Sequence, residues 1–361
     1  MLRRERYLSG LIPIRVVGVG GSGGNAVNRM IAEGVQGVEY LVIDTDAAAL
    51  AASSAPTRIN ISGKGTCGPG TGGSPRLAER AAYKARAQIW AALAGTAMLF
   101  ITACMGGGTS TGAAPIIAEI ARDLGILTIA IVTRPFLFEG GRPARLAEAG
   151  IEALKNRVDT LIVIPNDRLS ALSGEQAGLA GAFRLADDVL RQGVQAISEL
   201  LTLPGLMNVD FADIQRALSG QGPGLMAFGH ASGEDRACLA AEQAVHSPLL
   251  GAPLDGASHL LVNITAGSEI NVREIEEACE VLKRAAHPDA NIILGAAVNE
   301  AMRHEMRVAL IATGFADAAA ARRPSPQVSC RSAQLEPQPQ ERTPRISLRD
   351  YTVPPFFNDG E

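Results

Sequence analysis

Three stretches of this chain carry residue types suited to chemistry. The first is Gly106, Gly107, Gly108, Thr109, Ser110, Thr111 and Gly112, which follows an apolar run over residues 99–103 and precedes a helix-like run over 113–124. A strand that breaks into glycines and small hydroxyls before a helix presents bare backbone N–H groups to an anion. The helix N-terminus adds its partial positive charge. A phosphate chain is the guest this arrangement predicts. The second stretch, Gly18-Val-Gly-Gly-Ser-Gly-Gly-Asn25, sits between a short strand at 14–18 and a helix at 26–33. A third polar, glycine-rich run at 63–74, with Gly70, Thr71 and Gly72, adds more donors. Neither of the first two loops has the Gly-Lys-Ser/Thr of a P-loop, so no lysine is at hand for the phosphates. The whole reads as a triphosphate site cradled by amides and a metal ion.

A different chemistry is written at Asn208-Val-Asp-Phe-Ala-Asp213. Two carboxylates three residues apart, with an amide two residues before the first, can orient and polarise a water. On a starting helix Asp210 and Asp213 share a face. Asn208 or Asp210 also fits a plain helix N-cap. A rival reading comes from the Gly18-x-Gly20-x-x-Gly23 frame, with Asp44 at the spacing of an acidic ribose ligand, as in a nicotinamide-dependent oxidoreductase. That reading leaves the second glycine loop and the two-acid loop without a purpose.

These loops need elements to hold them. Strands fit 14–18, 39–43, 98–102, 128–133 and 160–164, separated by helical pattern, which predicts an α/β fold with a covered parallel sheet. One long helix fits 183–203. After it, strands at 260–265, 291–298 and 308–313 with a helix at 273–285 predict a smaller α/β domain. A length of 361 residues suggests two domains, and a net charge of −4 argues against a nucleic-acid binder. No apolar run approaches a membrane span. Five scattered cysteines without CxxC spacing fit reduced thiols in a cytoplasm. Residues 316–361 hold seven of the twenty prolines, too little apolar content for a core, and are expected to form a disordered linker. The last twelve residues gather Tyr351, Phe356 and Phe357, which reads as a greasy end or a partner-docking peptide.

The runs 20–25, 105–115 and 208–213, in this order and at these separations, resemble the FtsZ family of bacterial tubulin-like cell-division GTPases. The likeness covers residues 14–315, with supporting runs at 38–50, 123–139, 164–169, 204–213, 231–237, 260–267 and 308–314. It implies an N-terminal arm (1–13), a GTP-binding domain (14–182), a central helix (183–207), and a catalytic loop with a C-terminal activation domain (208–315). A linker (316–348) and a terminal docking peptide (349–361) would follow. It implies phosphate contacts from Gly20, Gly21, Ser22, Gly23 and Asn25 and from Gly106, Gly107, Gly108, Thr109, Thr111 and Gly112, with Gly70, Thr71 and Gly72 near the γ-phosphate. Glu139 and Arg142 would serve the sugar and phosphates. Asn166, Phe183 and Asp188 would meet the guanine, Phe183 by stacking, with Asp187 an equally acidic neighbour.

It further implies that Asn208, Asp210 and Asp213 of one subunit complete the site of the next, with Mg2+ held mainly by the nucleotide. Head-to-tail filaments at the mid-cell division site would result, cytoplasmic and without membrane insertion. Membrane adaptors would dock on the terminal peptide. Departures from the family pattern stand out: Cys104 and Ser110 replace glycines, Pro143 replaces a nucleotide-binding arginine, and Arg76 replaces an acid. Pro69, Thr71 and Gly73 mark the γ-phosphate stretch, and the chain ends Asn358-Asp-Gly-Glu361 without a basic finish. They keep open a relative that binds GTP and polymerises but turns it over weakly.

Overall fold

The apolar runs of the first half form the parallel sheet they predict. The computed structural model describes residues 12–63, 70–169, 178–202, 205–207, 209–220 and 222–315. Its first six strands are β1 (Ile14–Val19), β2 (Glu39–Asp44), β3 (Thr57–Asn60), β4 (Met98–Cys104), β5 (Leu127–Arg134) and β6 (Thr160–Pro165). They lie in the order β3-β2-β1-β4-β5-β6, every pair parallel. Alternate residues feed two cores. Val16, Phe100, Ile129 and Ile131 face one, and Val17, Leu99, Ile101 and Val132 the other. Both faces are covered, which is why these strands read as continuous apolar runs.

Helices α1 (Gly20–Ala32), α2 (Ala47–Ala51), α3 (Pro75–Lys84), α4 (Arg86–Leu93), α5 (Gly108–Asp123), α6 (Gly141–Lys155) and the short α7 (Asn166–Leu169) connect them. Helices α1 and α5 start at the glycines themselves, several residues earlier than the pattern predicts. Glycine's poor helix propensity masks a first turn that tertiary contacts enforce.

The long helix, α8 (Leu179–Thr202), is the spine. Its Val189, Leu190, Val194, Ile197 and Leu200 are buried in one cluster with Val16 and Ile131 from the first half and Leu261 and Ile311 from the second. Each such side chain contributes about 1.5–3 kcal/mol of burial. Beyond it come β7 (Gly205–Met207), α9 (Phe211–Leu218), β8 (Gly222–Ser232), α10 (Arg236–Val245), β9 (His259–Ala266), α11 (Val272–Ala285), β10 (Asn291–Val298) and β11 (Glu305–Thr313). The sequence pattern misses β8, whose glycines break its alternation.

That strand joins the halves. It pairs in parallel with β6, Thr160–Ile162 against Gly222–Gly224, so the sheet continues β6-β8-β11-β9-β10-β7 to eleven strands. The second half is mixed: β11 runs antiparallel to β8 and β9, and β7 antiparallel to β10. A buried carboxylate fastens the spine to it. Glu199 Oε2 accepts from Arg307 at 2.8 Å, Asn263 at 3.2 Å and Thr265 at 3.3 Å. The arm at 1–11, Pro69, Asn208 and the tail from 316 onward lie outside the described residues.

Candidate functional site

Strand order reverses between β1 and β4, and a cavity of about 250 Å³ opens at the carboxyl ends of the parallel strands there. Open α/β sheets bind ligands at such a switch point. Each strand sends in the residues that follow it. Ser22 and Asn25 come from α1 after β1, Cys104 to Gly107 from the end of β4, Pro135, Glu139 and Pro143 from beyond β5, and Asn166 from beyond β6. Phe183, Ala186 and Asp187 close the cavity from α8.

At one end the starts of α1 and α5 come together. Neither has an acidic residue in its first turn or a side-chain cap, so their leading N–H groups stay available to an anion. The turn at 70–74 closes on the start of α5 only because residue 108 is glycine: a Cβ there would overlap the Oγ1 of Thr71 and lie 2.8 Å from the Ser74 nitrogen. Gly106 holds φ at 105°, open to glycine, and its N–H donates to Thr111 Oγ1 at 2.9 Å. The Thr109 and Thr45 hydroxyls meet at 2.7 Å. Thus Ser22, Asn25, Gly106 and Gly107 line the cavity. Gly20, Gly21, Gly23, Gly70, Thr71, Gly72, Gly108, Thr109, Thr111 and Gly112 build the two helix starts and the turn beside it.

The other end suits a flat polar ring. Asn166 is 3% exposed and its Oδ1 has no partner among the described residues, which leaves a buried acceptor facing the cavity. Burial pushes the Asp187 carboxyl up to about 6, Arg29 pulling against the rise and Asp188 adding to it. Phe183 stands half-exposed, its ring edge-on to Phe136 at 5.5 Å. Glu139 lines the wall while its Oε1 accepts the Phe136 N–H at 2.8 Å.

The structure places several of the expected residues away from the cavity. Asp188 does not line the cavity. Burial works against its charge, but bonds from Arg191 (2.8 Å) and Gln192 (2.6 Å), with the charges of Arg191 and Arg29, hold the carboxyl below its usual range. One residue is about 100° on a helix, and that rotation gives the cavity to Asp187. Arg142 lines a neighbouring trough, its guanidinium beside Gly73 of the turn at 70–74, while Pro143 occupies the cavity wall. Ser110, the departure from glycine, stands in the first turn of α5. It is helical, and its hydroxyl donates to the Cys104 carbonyl at 2.6 Å. Asp44 is not a ribose ligand either: it is buried and accepts the N–H groups of Thr45 (2.6 Å) and Asp46 (3.2 Å). Cys104, Pro135 and Ala186 complete the lining, and burial raises the Cys104 thiol to about 11.

Asp210 and Asp213 stand elsewhere, at the start of α9. Asp210 occupies the N-cap position with no side-chain cap bond, so simple capping does not explain it. Asp213 is 45% exposed and accepts from Arg216 at 3.0 Å. Neither lines the cavity.

Residues 13–174 match the Tubulin/FtsZ family GTPase domain, and residues 222–316 the FtsZ family C-terminal domain. A singly substituted FtsZ from M. jannaschii is 38% identical, with 86% of this chain and 94% of that one aligned at a TM-score of 0.83. The chain belongs to the FtsZ family. An FtsZ dimer from the same organism is also 38% identical, over 87% of this chain and 92% of that one, at a TM-score of 0.81. CetZ2 from Haloferax volcanii, described as a GTPγS-bound protofilament, shares the fold at 17% identity and a TM-score of 0.72, over 84% and 93% of the two chains. The cavity therefore belongs to a tubulin/FtsZ-type GTPase domain, a domain type that binds GTP and GDP. Among the described residues, no helix is long and apolar enough to cross a membrane.

Proposed function

We propose that this protein binds GTP in the cavity and hydrolyses it only when a second copy supplies Asp210, Asp213 and Asn208. The observation that carries the reading is the separation of parts. Anion-ready helix starts and a base-sized polar pocket lie together, while the two candidate catalytic acids of the same chain lie outside them, exposed. Asp187 would accept from the guanine N1–H and exocyclic amine, which distinguishes guanine from adenine. Asn166 and Asn25 would meet the other ring edges, and Phe183 would stack. The uncapped N-termini of α1 and α5 would hold the phosphates. Mg2+, held mainly by those phosphates, would neutralise charge on them.

Two apolar patches favour the second copy. Leu137 (83% exposed) and Phe138 flank the cavity, and Leu206, Met207 and Val272 stand exposed in the second half that carries the acids. Patches that differ from one another fit a heterologous contact, and repeating such a contact makes an open filament. The acids would then position and polarise the attacking water, with rate gained by placement and electrostatics. In the cell such filaments would form the mid-cell division ring, tethered by adaptors on the terminal peptide.

GTP turnover measured against protein concentration, with sedimentation alongside, tests the reading. Turnover per subunit should rise steeply above the concentration at which polymer pellets. A constant value per subunit overturns the shared site. Pro143 on the cavity wall, where a cation would hold phosphate, favours a second reading in which polymer forms with slow turnover. Pelleting polymer with unchanged GTP content would select it.

A further inference from the structure

A trough of about 410 Å³ runs along the outer side of α6, walled by α3 and α5. Along α6 it is lined by Arg142, Leu146, Ala149, Ala153 and, just past the helix end, Arg157. These positions form one stripe, and fifteen residues of helical rise make it about 22 Å long. That length suits a row of side chains from an elongated segment.

Its charge is polarised. Arg76 and Arg142 stand at the end beside Gly73, and neither guanidinium has an ion pair or hydrogen bond among the described residues. At the far end Arg157 is already held by the Ala153 carbonyl at 2.6 Å and lies 3.7 Å from Glu119. Glu79 is the one carboxylate in the lining. Between the ends the floor is apolar, with buried Ile116 beneath Ala149 and Ala153. We infer that the trough docks a segment of another protein with two acidic residues at one end, followed by apolar side chains at helical spacing. The acids would meet Arg76 and Arg142, and the apolar row would fill the floor. The trough borders the proposed phosphate end, sharing Thr111 and Gly112 with the start of α5 and Gly73 with the turn at 70–74, but it has no lining residue in common with the cavity, so peptide binding and GTP binding are read out separately.

A fluorescein-labelled, helix-forming 14-residue peptide, two glutamates followed by leucines at every third or fourth position, is a sufficient probe. Titrated with the full chain in GDP, it should show saturable anisotropy in the micromolar range. Arg76→Glu/Arg142→Glu and, separately, Ala149→Arg should each weaken it at least tenfold, and exchanging the peptide's glutamates for lysines should abolish binding. Circular dichroism of both variants should match that of the unaltered protein, since all three positions are solvent-exposed. No saturable binding, or equal binding by the charge-reversed variant, overturns the proposal. So does a chain that ignores the peptide and instead binds vesicles of anionic lipid through the same arginines.

Discussion

At the carboxyl edge of the parallel strands Asn166 is 3% exposed and Asp187 lies in a wall set by a long buried helix, whereas Asp213 is 45% exposed and pairs with Arg216. The first region is held from beneath by sheet and spine, so its polar groups are oriented before any ligand arrives. Little ordering remains to oppose binding there. The second region is a pair of carboxylates at the surface, at the start of α9. Chemistry that needs a water placed to within a fraction of an ångström cannot use them until something packs over them. A preorganised receptor and an unorganised pair of acids on one chain are what a site shared between copies requires.

The largest effect that can break this comparison is at Asp213. Asp213→Ala should lower turnover about 10²–10⁴-fold, the range for a lost acid–base group, and leave GTP affinity within about twofold. Loss of affinity instead would place the acid in its own chain's pocket. The comparison sharpens with Gly108→Val, which puts side-chain atoms where Thr71 sits and should abolish nucleotide binding. Alone, the first variant should turn over GTP only at its residual rate and the second not at all. Mixed in equal amounts they should recover about a quarter of normal activity, because one ordered pairing in four joins an intact pocket to intact acids. A mixture as inactive as its parts would defeat the shared-site reading.

The next effect is at the base end. Asp187→Asn should weaken GTP binding about 10–100-fold, the loss expected for charge-assisted bonds, and improve xanthosine triphosphate relative to GTP. Asp188→Asn should change affinity less than about threefold, as Asp188 is spent on Arg29, Arg191 and Gln192. Equal losses from both would mean the helix turn has been misassigned. The raised carboxyl adds a pH test. Guanine needs the charged form, so GDP affinity should be level above pH 7. Below about 6 it should fall by up to about tenfold per unit, and Asp187→Asn should remove that component. Stability of the nucleotide-free protein runs the other way. A carboxyl raised by burial contributes most below the unfolded value near 3.8, and its contribution is lost as pH rises through about 6.

The glycine-rich helix starts were legible because their signal is local: glycines and hydroxyls stand between an apolar strand and a helix. The parallel half of the sheet followed from the same rhythm. Choosing between Asp187 and Asp188 was not possible from local pattern, because both are acidic and only the spine's packing sets which one turns inward. Arg142 is a similar case: Pro143 takes the wall, and the guanidinium one position earlier lies beside Gly73. Strand β8 was missed because Gly222, Gly224 and Gly229 interrupt its alternation, although Gly229 sits where any side chain would strike the Ala240 carbonyl. Long-range packing decided each of these.

Ser110 gives the smallest effect and the finest test. In the family pattern a glycine stands here, and a serine suggests strain in the motif that builds the phosphate end. The residue instead sits in the first turn of α5, buried, and its hydroxyl ties that turn to the Cys104 carbonyl at 2.6 Å. Ser110→Gly would remove that bond and add a flexible residue to a helix, a loss of about 1–2 kcal/mol together. For a domain of this size the midpoint of thermal unfolding should fall by only a few degrees. GTP turnover should stay within about twofold, since the hydroxyl faces the strand end and not the cavity. A Ser110→Gly variant that unfolds at higher temperature, or turns over GTP many times faster, would show that the serine was a strained intruder after all.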